Sequence, residues 1–385
     1  MSEFVHKNLT EVCDILYGYP FDSSHFSLSP DDMPLIRIRD VKEGKTSTYY
    51  NGNYPKEYII HKGDYLIGMD GEFNISSWKS DDALLNQRVC KISSKTQSVS
   101  IRYVYRFLTK ELKIIEDETP FATVKHLSAK KLNQIIIPLP PIEEQERIVS
   151  ELDLLSGIIE KKKEQLKEYD KLAQSIFYDM FGDPVDNPKE WDLKAFREVC
   201  LSMTKGPFGS DIKKSLYVPK SKDTYKVYVQ INAIEKDATL GEYYISKDYF
   251  ENKMSRFEVK PNDYLITCDG TLGKYIRLPQ TIEKGIISAS LLRLTLNEHI
   301  NYKFFEFIWD CYILPQQIKD IRNTALVHLP SASKMGATLI PLPPLSLQQS
   351  FAEMVEAIEK QKALVQQSIS ETQTLFDSTM DKYFG

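Results

Sequence analysis

The sequence predicts an α+β protein in which two mixed α/β domains are joined and spaced by two long helices, which pair as an antiparallel coiled coil. The first observation is a duplicated motif, because residues 137–145 and 340–348 share the pattern Ile-Pro-Leu-Pro-Pro-x-x-x-Gln. The second is its spacing, because the two copies stay aligned at an offset of 203 residues until Phe181-Gly182 meets Phe384-Gly385. A duplication of this length predicts two equivalent modules related by a pseudo-twofold axis.

Shorter matches extend the duplication toward the N-terminus. Residues 11–13 repeat as 198–200, and Phe21 matches Phe208 at the same offset of 187. Asp-Tyr-Leu-Ile occurs at 64–67 and 263–266, and each copy is soon followed by Asp-Gly. We therefore divide the chain into globular residues 1–140, helical residues 141–182, globular residues 183–340 and helical residues 341–385.

Composition favours a cytoplasmic protein with two globular domains. The 385 residues are 42% hydrophobic and suffice for two buried cores. No apolar run approaches the roughly 20 residues of a membrane span, and the N-terminus lacks the pattern of a signal peptide. The five cysteines are scattered without a Cys-x-x-Cys pair, so we expect reduced thiols and no metal site.

The charge distribution permits a nucleic-acid partner although the net charge of −5 argues mildly against one. The two helical segments hold 6 basic against 10 acidic and 3 basic against 6 acidic side chains. The globular segments hold 18 against 18 and 22 against 20. A near-neutral domain can still carry one basic face.

Each helical segment has the pattern of a coiled-coil helix. Pro141 suits the first turn of a helix, and Gly182 suits its end. Apolar side chains then recur in steps of three and four, interrupted by Lys162 and Lys362, at Ile148, Leu152, Leu155, Ile159, Leu166 and Ile176 and at Phe351, Val355, Ile358, Val365, Ile369 and Phe376. This seam predicts that the helices pair, and about 40 residues make a rod of roughly 60 Å. The alternative is two amphipathic helices, each covering its own domain.

The globular segments alternate short β-rich runs with turns, which predicts irregular sheets. The strand candidates are 35–41, 57–60 and 65–69 in the first segment and 227–234, 243–246 and 264–267 in the second. Residues 101–108 and 302–318 are the helix candidates.

No signature of catalysis is visible in either globular segment. The sequence contains neither His-Glu-x-x-His nor Gly-x-Ser-x-Gly, and residues 270–274 have the wrong spacing for a phosphate-binding loop. Carboxylate pairs such as Asp31-Asp32 are interpreted as solvated turns. We therefore expect recognition rather than chemistry.

The remaining polar patterns suit DNA recognition. Residues 205–214 form a glycine-rich loop with three lysines, which suits phosphate oxygens. Arginine reads guanine and Asn or Gln reads adenine in the major groove, and such residues occupy equivalent predicted strands. The candidate DNA contacts are Arg37, Arg39, Lys45, Asn74, Lys79, Gln87, Arg88, Lys205, Ser210, Lys213, Lys214, Gln230, Asn232, Thr271, Lys274 and Ser288. Solvated strand faces are the alternative for the strand residues. For Phe21 and Phe208, we favour a role in the cores of the two domains over contact with DNA.

Taken together, these motifs resemble the specificity subunit of type I restriction-modification systems over essentially the whole chain. The resemblance rests on the doubled Pro-Leu-Pro-Pro-x-x-x-Gln helix starts and on the helix exit at residues 180–184, followed by Asn187-Pro188 and Trp191. The Asp-Tyr-Leu-Ile motifs and the loop at 205–210 add to it. One departure is that residues 345–347 lack the acidic helix start of 142–144.

The resemblance implies a specific division of labour. Two target recognition domains would each read half of a split, asymmetric double-stranded DNA sequence. The two helical segments would form the spacer and dock two methyltransferase subunits, which helicase-nuclease subunits join in the restriction enzyme. S-adenosylmethionine would bind the methyltransferase partner and no cofactor would bind this chain. The alternatives are a self-contained methyltransferase or nuclease and a coiled-coil scaffold whose globular ends bind proteins.

Overall fold

The computed structural model describes residues 4–120, 125–235, 242–319 and 328–385. The chain forms two compact units. Unit 1 consists of Met1–Glu164 and Gln366–Gly385, and unit 2 consists of Gln165–Val365. Each unit therefore combines one globular segment with one part of each long helix.

Unit 1 has short strands around one long domain helix. Its strands are β1 (Val5–Asn8), β2 (Cys13–Tyr17), β3 (Phe26–Ser27), β4 (Met33–Ile36), β5 (Tyr49–Tyr50), β6 (Ile59–Ile60), β7 (Tyr65–Gly68), β8 (Asn74–Ser77), β9 (Ala83–Leu85), β10 (Val89–Ser94) and β11 (Ile136–Leu139). Its helices are α1 (Leu9–Val12), α2 (Asp40–Glu43), α3 (Ile101–Glu118) and α4 (Ala129–Asn133), and the first long helix, α5 (Ile142–Phe181), starts here.

Unit 2 repeats this order with fewer strands in its described part. Its strands are β12 (Leu193–Ala195), β13 (Cys200–Lys205), β14 (Thr224–Tyr228), β15 (Tyr243–Ser246), β16 (Tyr264–Thr267), β17 (Tyr275–Arg277), β18 (Gly285–Ile287), β19 (Leu291–Leu296) and β20 (Leu339–Pro341). Its helices are α6 (Gln230–Ala233), α7 (Lys247–Tyr249), α8 (Tyr302–Ile308), α9 (Leu314–Ile318), α10 (Ala332–Gly336) and the second long helix, α11 (Leu345–Phe384).

The sheets show which parts of the two units correspond. Each unit has a four-stranded antiparallel sheet with the same connectivity, β2-β10-β7-β8 in unit 1 and β13-β19-β16-β17 in unit 2. Each also has a two-stranded sheet, β1-β11 or β12-β20, directly before a long helix. The third sheets differ, with five strands in unit 1 and three among the described residues of unit 2. The frame is therefore shared and the added sheet has diverged.

Several strands near the candidate DNA contacts end earlier or begin later than predicted. The runs at 243–246 and 264–267 are strands, and the run at 65–69 is a strand up to Gly68. In contrast, β4 ends at Ile36, β14 ends at Tyr228 and only the last two residues of 57–60 form a strand. After β4, a carboxylate oxygen of Asp40 accepts hydrogen bonds from the Arg37 amide at 2.8 Å and the Thr46 hydroxyl at 2.9 Å. These bonds turn the chain into α2, so the prediction of a strand over 35–41 is wrong. The prediction of a strand over 227–234 is also wrong, because the chain enters α6 two residues after Tyr228.

Both long helices begin and end within four residues of the predicted bounds 141–182 and 341–385. Pro141 and Pro344 directly precede the first residue of each helix, and their carbonyl groups accept the first amide hydrogen bonds of the helix. Gly182 ends α5 with a φ of +77°, a left-handed conformation that favours glycine. Each helix contains 40 residues, so the rod length of about 60 Å follows from the helical rise.

The two long helices pair in an antiparallel direction within each unit. In unit 1, Arg147 donates to the Tyr383 hydroxyl at 3.1 Å, and Lys162 donates to Thr372 at 3.1 Å. In unit 2, the ring of Phe177 lies 5.6 Å from that of Phe351. Residue numbers on one helix rise as those on the other fall, which confirms the predicted antiparallel pairing.

The seam is buried largely as predicted. The most enclosed positions are Ile148, Leu152, Leu155, Ile159, Phe351, Val355, Ile358 and Ile369, while Leu166, Ile176, Val365 and Phe376 are half-buried. The prediction missed Phe177 and Phe181, which are 1% and 3% exposed and form part of the core of unit 2. The amino group of Lys162 interrupts the seam without losing its hydrogen bonds, because it reaches the hydroxyls of Ser368 and Thr372.

A buried glutamine explains the doubled motif at the start of each helix. The side-chain oxygen of Gln145 accepts from the Ser100 amide at 2.8 Å, and its nitrogen donates to the carbonyls of Pro140 at 2.8 Å and Ser98 at 3.0 Å. Gln145 is fully buried. It joins the prolines, the long helix and the residues before α3, so the motif fixes the start of the long helix to its domain. We call this set of contacts the glutamine lock.

The same lock recurs in unit 2. The side-chain oxygen of Gln348 accepts from the Asn301 amide at 2.8 Å, and its nitrogen donates to the backbone carbonyls of Pro343 at 2.8 Å and His299 at 3.3 Å. It is also fully buried. The repetition of these three contacts shows that the two copies of the motif have the same structural role.

Candidate nucleic-acid interface

In both units a loop after the first strand of the four-stranded sheet is anchored against the loop before the second. The amide of Gly18 donates to Val89 at 2.9 Å, and the amide of Gly206 donates to Leu291 at 2.8 Å. A Cβ atom on Gly18 would lie 2.0 Å from a backbone oxygen of Asn86, and one on Gly206 would lie 1.9 Å from that of Ser288. Glycine is therefore required for this close approach at both places.

Unit 2 presents the predicted lysine loop at the end of β13. Lys205, Ser210, Lys213 and Lys214 are all exposed. The loop is stabilised from beneath by Ile212, which is 8% exposed and belongs to a hydrophobic core of the unit. This arrangement gives three cationic side chains to solvent on a packed base.

Phe208 does not have the core role that the sequence analysis favoured. Its side chain is 77% exposed, whereas Phe21 is 4% exposed and packs in a core cluster. The equivalent glycines Gly18 and Gly206 differ by 188 residues, so the sequence match at an offset of 187 was one position out of register. The prediction is correct for Phe21 and wrong for Phe208.

Ser288 anchors the loop instead of facing solvent. It is 7% exposed, its amide donates to Tyr228 at 3.0 Å, and its carbonyl faces Gly206. Its expected place on the recognition surface is therefore corrected. Gln230, at the start of α6, is half-buried and donates to Glu235 at 3.1 Å. Asn232 lies in the same short helix, but its side chain falls outside the described part.

Thr271 and Lys274 lie in a tight turn after β16. The Thr267 hydroxyl accepts from the Lys274 amide at 3.0 Å, and the Trp309 ring nitrogen donates to the Gly273 carbonyl at 3.0 Å. Both Thr271 and Lys274 are exposed. The turn is thus held from inside while its two candidate contacts remain at the surface.

In unit 1 the candidate contacts gather around α2 and β8. Arg37 and Arg39 are exposed on the turn that leads into α2. Lys45 follows α2, and the aliphatic part of the Lys79 side chain lies over Gly44. Asn74 is half-buried at the start of β8 and donates to the Glu72 carbonyl at 2.9 Å. The structure therefore brings four basic side chains and one amide into one region.

Gln87 and Arg88 belong to the loop that anchors Gly18. Both side chains are exposed, and Arg88 has a φ of +70°, which is uncommon for a side chain of this kind. Its guanidinium lies 3.6 Å from Asp70 and 3.3 Å from the ring of His126. Arg88 is consequently tied to an internal ion pair, while Gln87 is left facing solvent.

Both units contain an aspartate-histidine pair that the sequence did not reveal. A ring nitrogen of His126 lies 2.5 Å from a carboxylate oxygen of Asp70, and His328 lies 2.5 Å from Asp269. Each aspartate belongs to an Asp-Gly motif that the sequence showed, and each histidine is followed by leucine. The repeated His-Leu pair was the only signal available, because partners more than 55 residues apart in sequence share no local pattern.

The thiols offer no reactive group at this interface. Burial raises the pKa of each to about 12, at Cys13, Cys90, Cys200, Cys268 and Cys311. They are therefore protonated at neutral pH, and a thiol is a poor nucleophile and metal ligand compared with a thiolate. All five are free cysteines. Within the described ranges no helix is long and apolar enough to cross a membrane.

Comparisons with known proteins agree with this architecture. The family model described as Type I restriction modification DNA specificity domain matches residues 1–168 and 188–373. The chain is 29% identical to the type I restriction enzyme EcoBI specificity subunit of Escherichia coli, with 100% of this chain and 86% of the relative covered. It is 22% identical to the MjaVIII specificity subunit of Methanocaldococcus jannaschii, with 85% and 79% covered.

Solved structures share the fold at low sequence identity. The S subunit of a type I restriction-modification system from M. genitalium matches with a TM-score of 0.53 and 14% identity, covering 99% of this chain and 96% of that one. A chain from a structural study of assembly and conformational transition in the type I system matches with a TM-score of 0.60 and 18% identity, covering 100% and 98%.

The duplicated recognition frame and the paired helices define a DNA target-recognition subunit of a restriction-modification complex. The chain belongs to the family of type I restriction-modification DNA specificity subunits, as its two matched domains show.

Proposed function

We propose that this subunit reads a split, asymmetric DNA sequence, with one half-site read by each globular domain, and positions two methyltransferase subunits for adenine methylation. In this proposal residues 1–140 and 183–340 are the recognition domains, and residues 141–182 and 341–385 are the spacers. One observation carries it: the same four-stranded frame occurs twice, with different side chains on its loops.

The two surfaces suit different half-sites. Unit 1 presents Arg37 and Arg39, whose forked donors suit guanine edges or phosphates. Unit 2 presents the flexible cations Lys205, Lys213 and Lys214, which suit phosphate oxygens. Two readers increase specificity, because each wrong base pair costs roughly 1–3 kcal/mol.

The paired helices suit the role of spacer. Each helix is 40 residues long and pairs with the other within each unit, and the glutamine locks join each helix start to a domain. A helix that is locked to its domain transmits a defined length, whereas a flexible linker does not.

Exposed leucines on the helices suit docking of two partner subunits. Leu154 and Leu375 are 66% and 54% exposed in unit 1, and Leu172 and Leu364 are 47% and 59% exposed in unit 2. Apolar side chains that remain exposed on a helix pair often mark a protein interface. The twofold repeat of the chain favours two methyltransferase copies, which helicase-nuclease subunits would join for restriction. S-adenosylmethionine and the chemical step would belong to the methyltransferase, and this chain would be non-catalytic.

Co-expression with the methyltransferase subunit of its own system tests the proposal. Sequencing of host DNA for modified adenines should show one split motif with a constant gap. A contiguous motif would contradict the division into two readers. A stable complex that leaves DNA unmodified and unbound would favour the scaffold alternative.

A further inference from the structure

The side chain of Phe208 is exposed and does not pack in a hydrophobic core. It is 77% exposed, between Pro207, which is buried, and Gly209, around which a Cβ atom would find no heavy atom within 4 Å. Phe21, the other phenylalanine that the sequence placed in a domain core, instead packs its ring 5.0 Å from Tyr19 and 4.9 Å from Tyr50. Burial of an aromatic ring is favourable, so a ligand that covers Phe208 would gain this free energy.

The backbone that carries Phe208 is held at several points. The Gly206 amide is bonded to Leu291, and the Asp211 amide donates to the carbonyl of Phe208 itself at 2.8 Å. The Tyr249 hydroxyl donates to the Asp211 carbonyl at 2.7 Å. An exposed ring on a restrained loop is preorganised, which reduces the entropy lost on binding.

The charges around the ring identify the class of ligand. Lys205, Lys213 and Lys214 are exposed in the same loop, against one acidic side chain, Asp211. An exposed aromatic ring on a loop that also exposes three cations matches a nucleic acid, in which flat bases lie between phosphates. An apolar protein surface would match the ring but not the three cations.

We propose that Phe208 inserts as a wedge at a base step of the half-site read by unit 2 and stacks on one base, while the neighbouring lysines contact the flanking phosphates. Apolar side chains that enter a base step unstack it and bend the duplex. The wedge therefore selects for steps that deform easily, in particular pyrimidine–purine steps, without a hydrogen bond to a base edge. This inference rests on the proposed DNA-recognition function.

Phe208→Trp reports directly on stacking in the complex with the methyltransferase. The probes are a duplex carrying the split motif found by methylation sequencing and a duplex of scrambled sequence. An exposed tryptophan is quenched by acrylamide in the free complex, and stacking on a base should protect it when the motif duplex binds. The wild-type complex provides the background from Trp78, Trp191 and Trp309.

The outcomes separate the wedge from the proposed function. Tight binding of the motif duplex with the tryptophan still open to acrylamide overturns the wedge and leaves DNA recognition intact. Binding of neither duplex overturns both proposals. Protection on the motif duplex supports both.

Phe208→Ala measures the contribution of the ring. We expect affinity for the motif duplex to fall about tenfold, within the range of one lost base stack, while the salt dependence stays unchanged because no charge is removed. Leu201→Ala is the matched control, because Leu201 is 73% exposed near the opposite end of β13. Equal affinity of Phe208→Ala and wild type, or weakened methyltransferase assembly with unchanged DNA affinity, overturns the wedge.

Discussion

Replacing Gln348 with methionine should destabilise unit 2 although the side-chain volume barely changes. The substitution removes the acceptor for the Asn301 amide and the donor to the Pro343 carbonyl, both at 2.8 Å. Gln348 is fully buried and Pro343 is buried, so water does not readily replace these partners. Each buried group left without a partner costs about 1–3 kcal/mol, so we expect a loss of about 3 kcal/mol. The third contact, to His299 at 3.3 Å, adds little because His299 is exposed.

Equilibrium urea unfolding and amide hydrogen exchange measure this effect. Gln349→Met is the matched control, because Gln349 is the next residue of the same helix and is exposed. Its stability should stay within about 0.5 kcal/mol of wild type. In Gln348→Met, exchange should rise in the peptide covering α8, whose first residue follows Asn301. Equal stability of the two variants would refute the lock.

Two further outcomes are expected. Lys213→Ala combined with Lys214→Ala should weaken DNA binding equally for all sequences and lower the salt slope of affinity by up to about two; an unchanged slope would remove these residues from the interface. Hydrogen bonds, first from Lys226 and then from Tyr244, lower the pKa of Glu242 from its ordinary 4.5 to about 2. The contribution of these bonds to folding stability is therefore fully present above pH 4.5 and is lost as the pH falls toward 2. Glu242→Gln should therefore flatten the fall of the urea midpoint in that window, and an unaltered profile would contradict the assignment; the effect is small because Glu242 is 48% exposed.

The long helices could be predicted because their signals are local. Prolines and glycines mark their ends, and one seam repeats every three or four residues. The ends of β4 at Ile36 and of β14 at Tyr228 could not be predicted. The turn into α2 depends on the Asp40 carboxylate and on Thr46, and hydrophobic alternation does not reveal such bonds.

The exposure of the candidate DNA contacts could be predicted only in part, because residue type indicates chemistry but not exposure. The lysines of the 205–214 loop are at the surface, as expected from their charge. Ser288 is buried and Phe208 is exposed, because a close contact at Gly206 sets the register of the loop. Two of the three partners of Gln145 and of Gln348 lie 45 to 49 residues away in sequence, so the motif was visible while these contacts were not.

Lengthening the spacer tests most directly whether the helix pair sets the distance between half-sites. One heptad inserted into each long helix at facing positions, after Gln165 and after Val365, preserves the seam and adds about 10 Å. At about 3.4 Å per base pair, the gap in the methylated motif should grow by about three base pairs while both half-sites stay the same. A methylome with an unchanged gap in an active complex would contradict the account, as would changed half-site sequences.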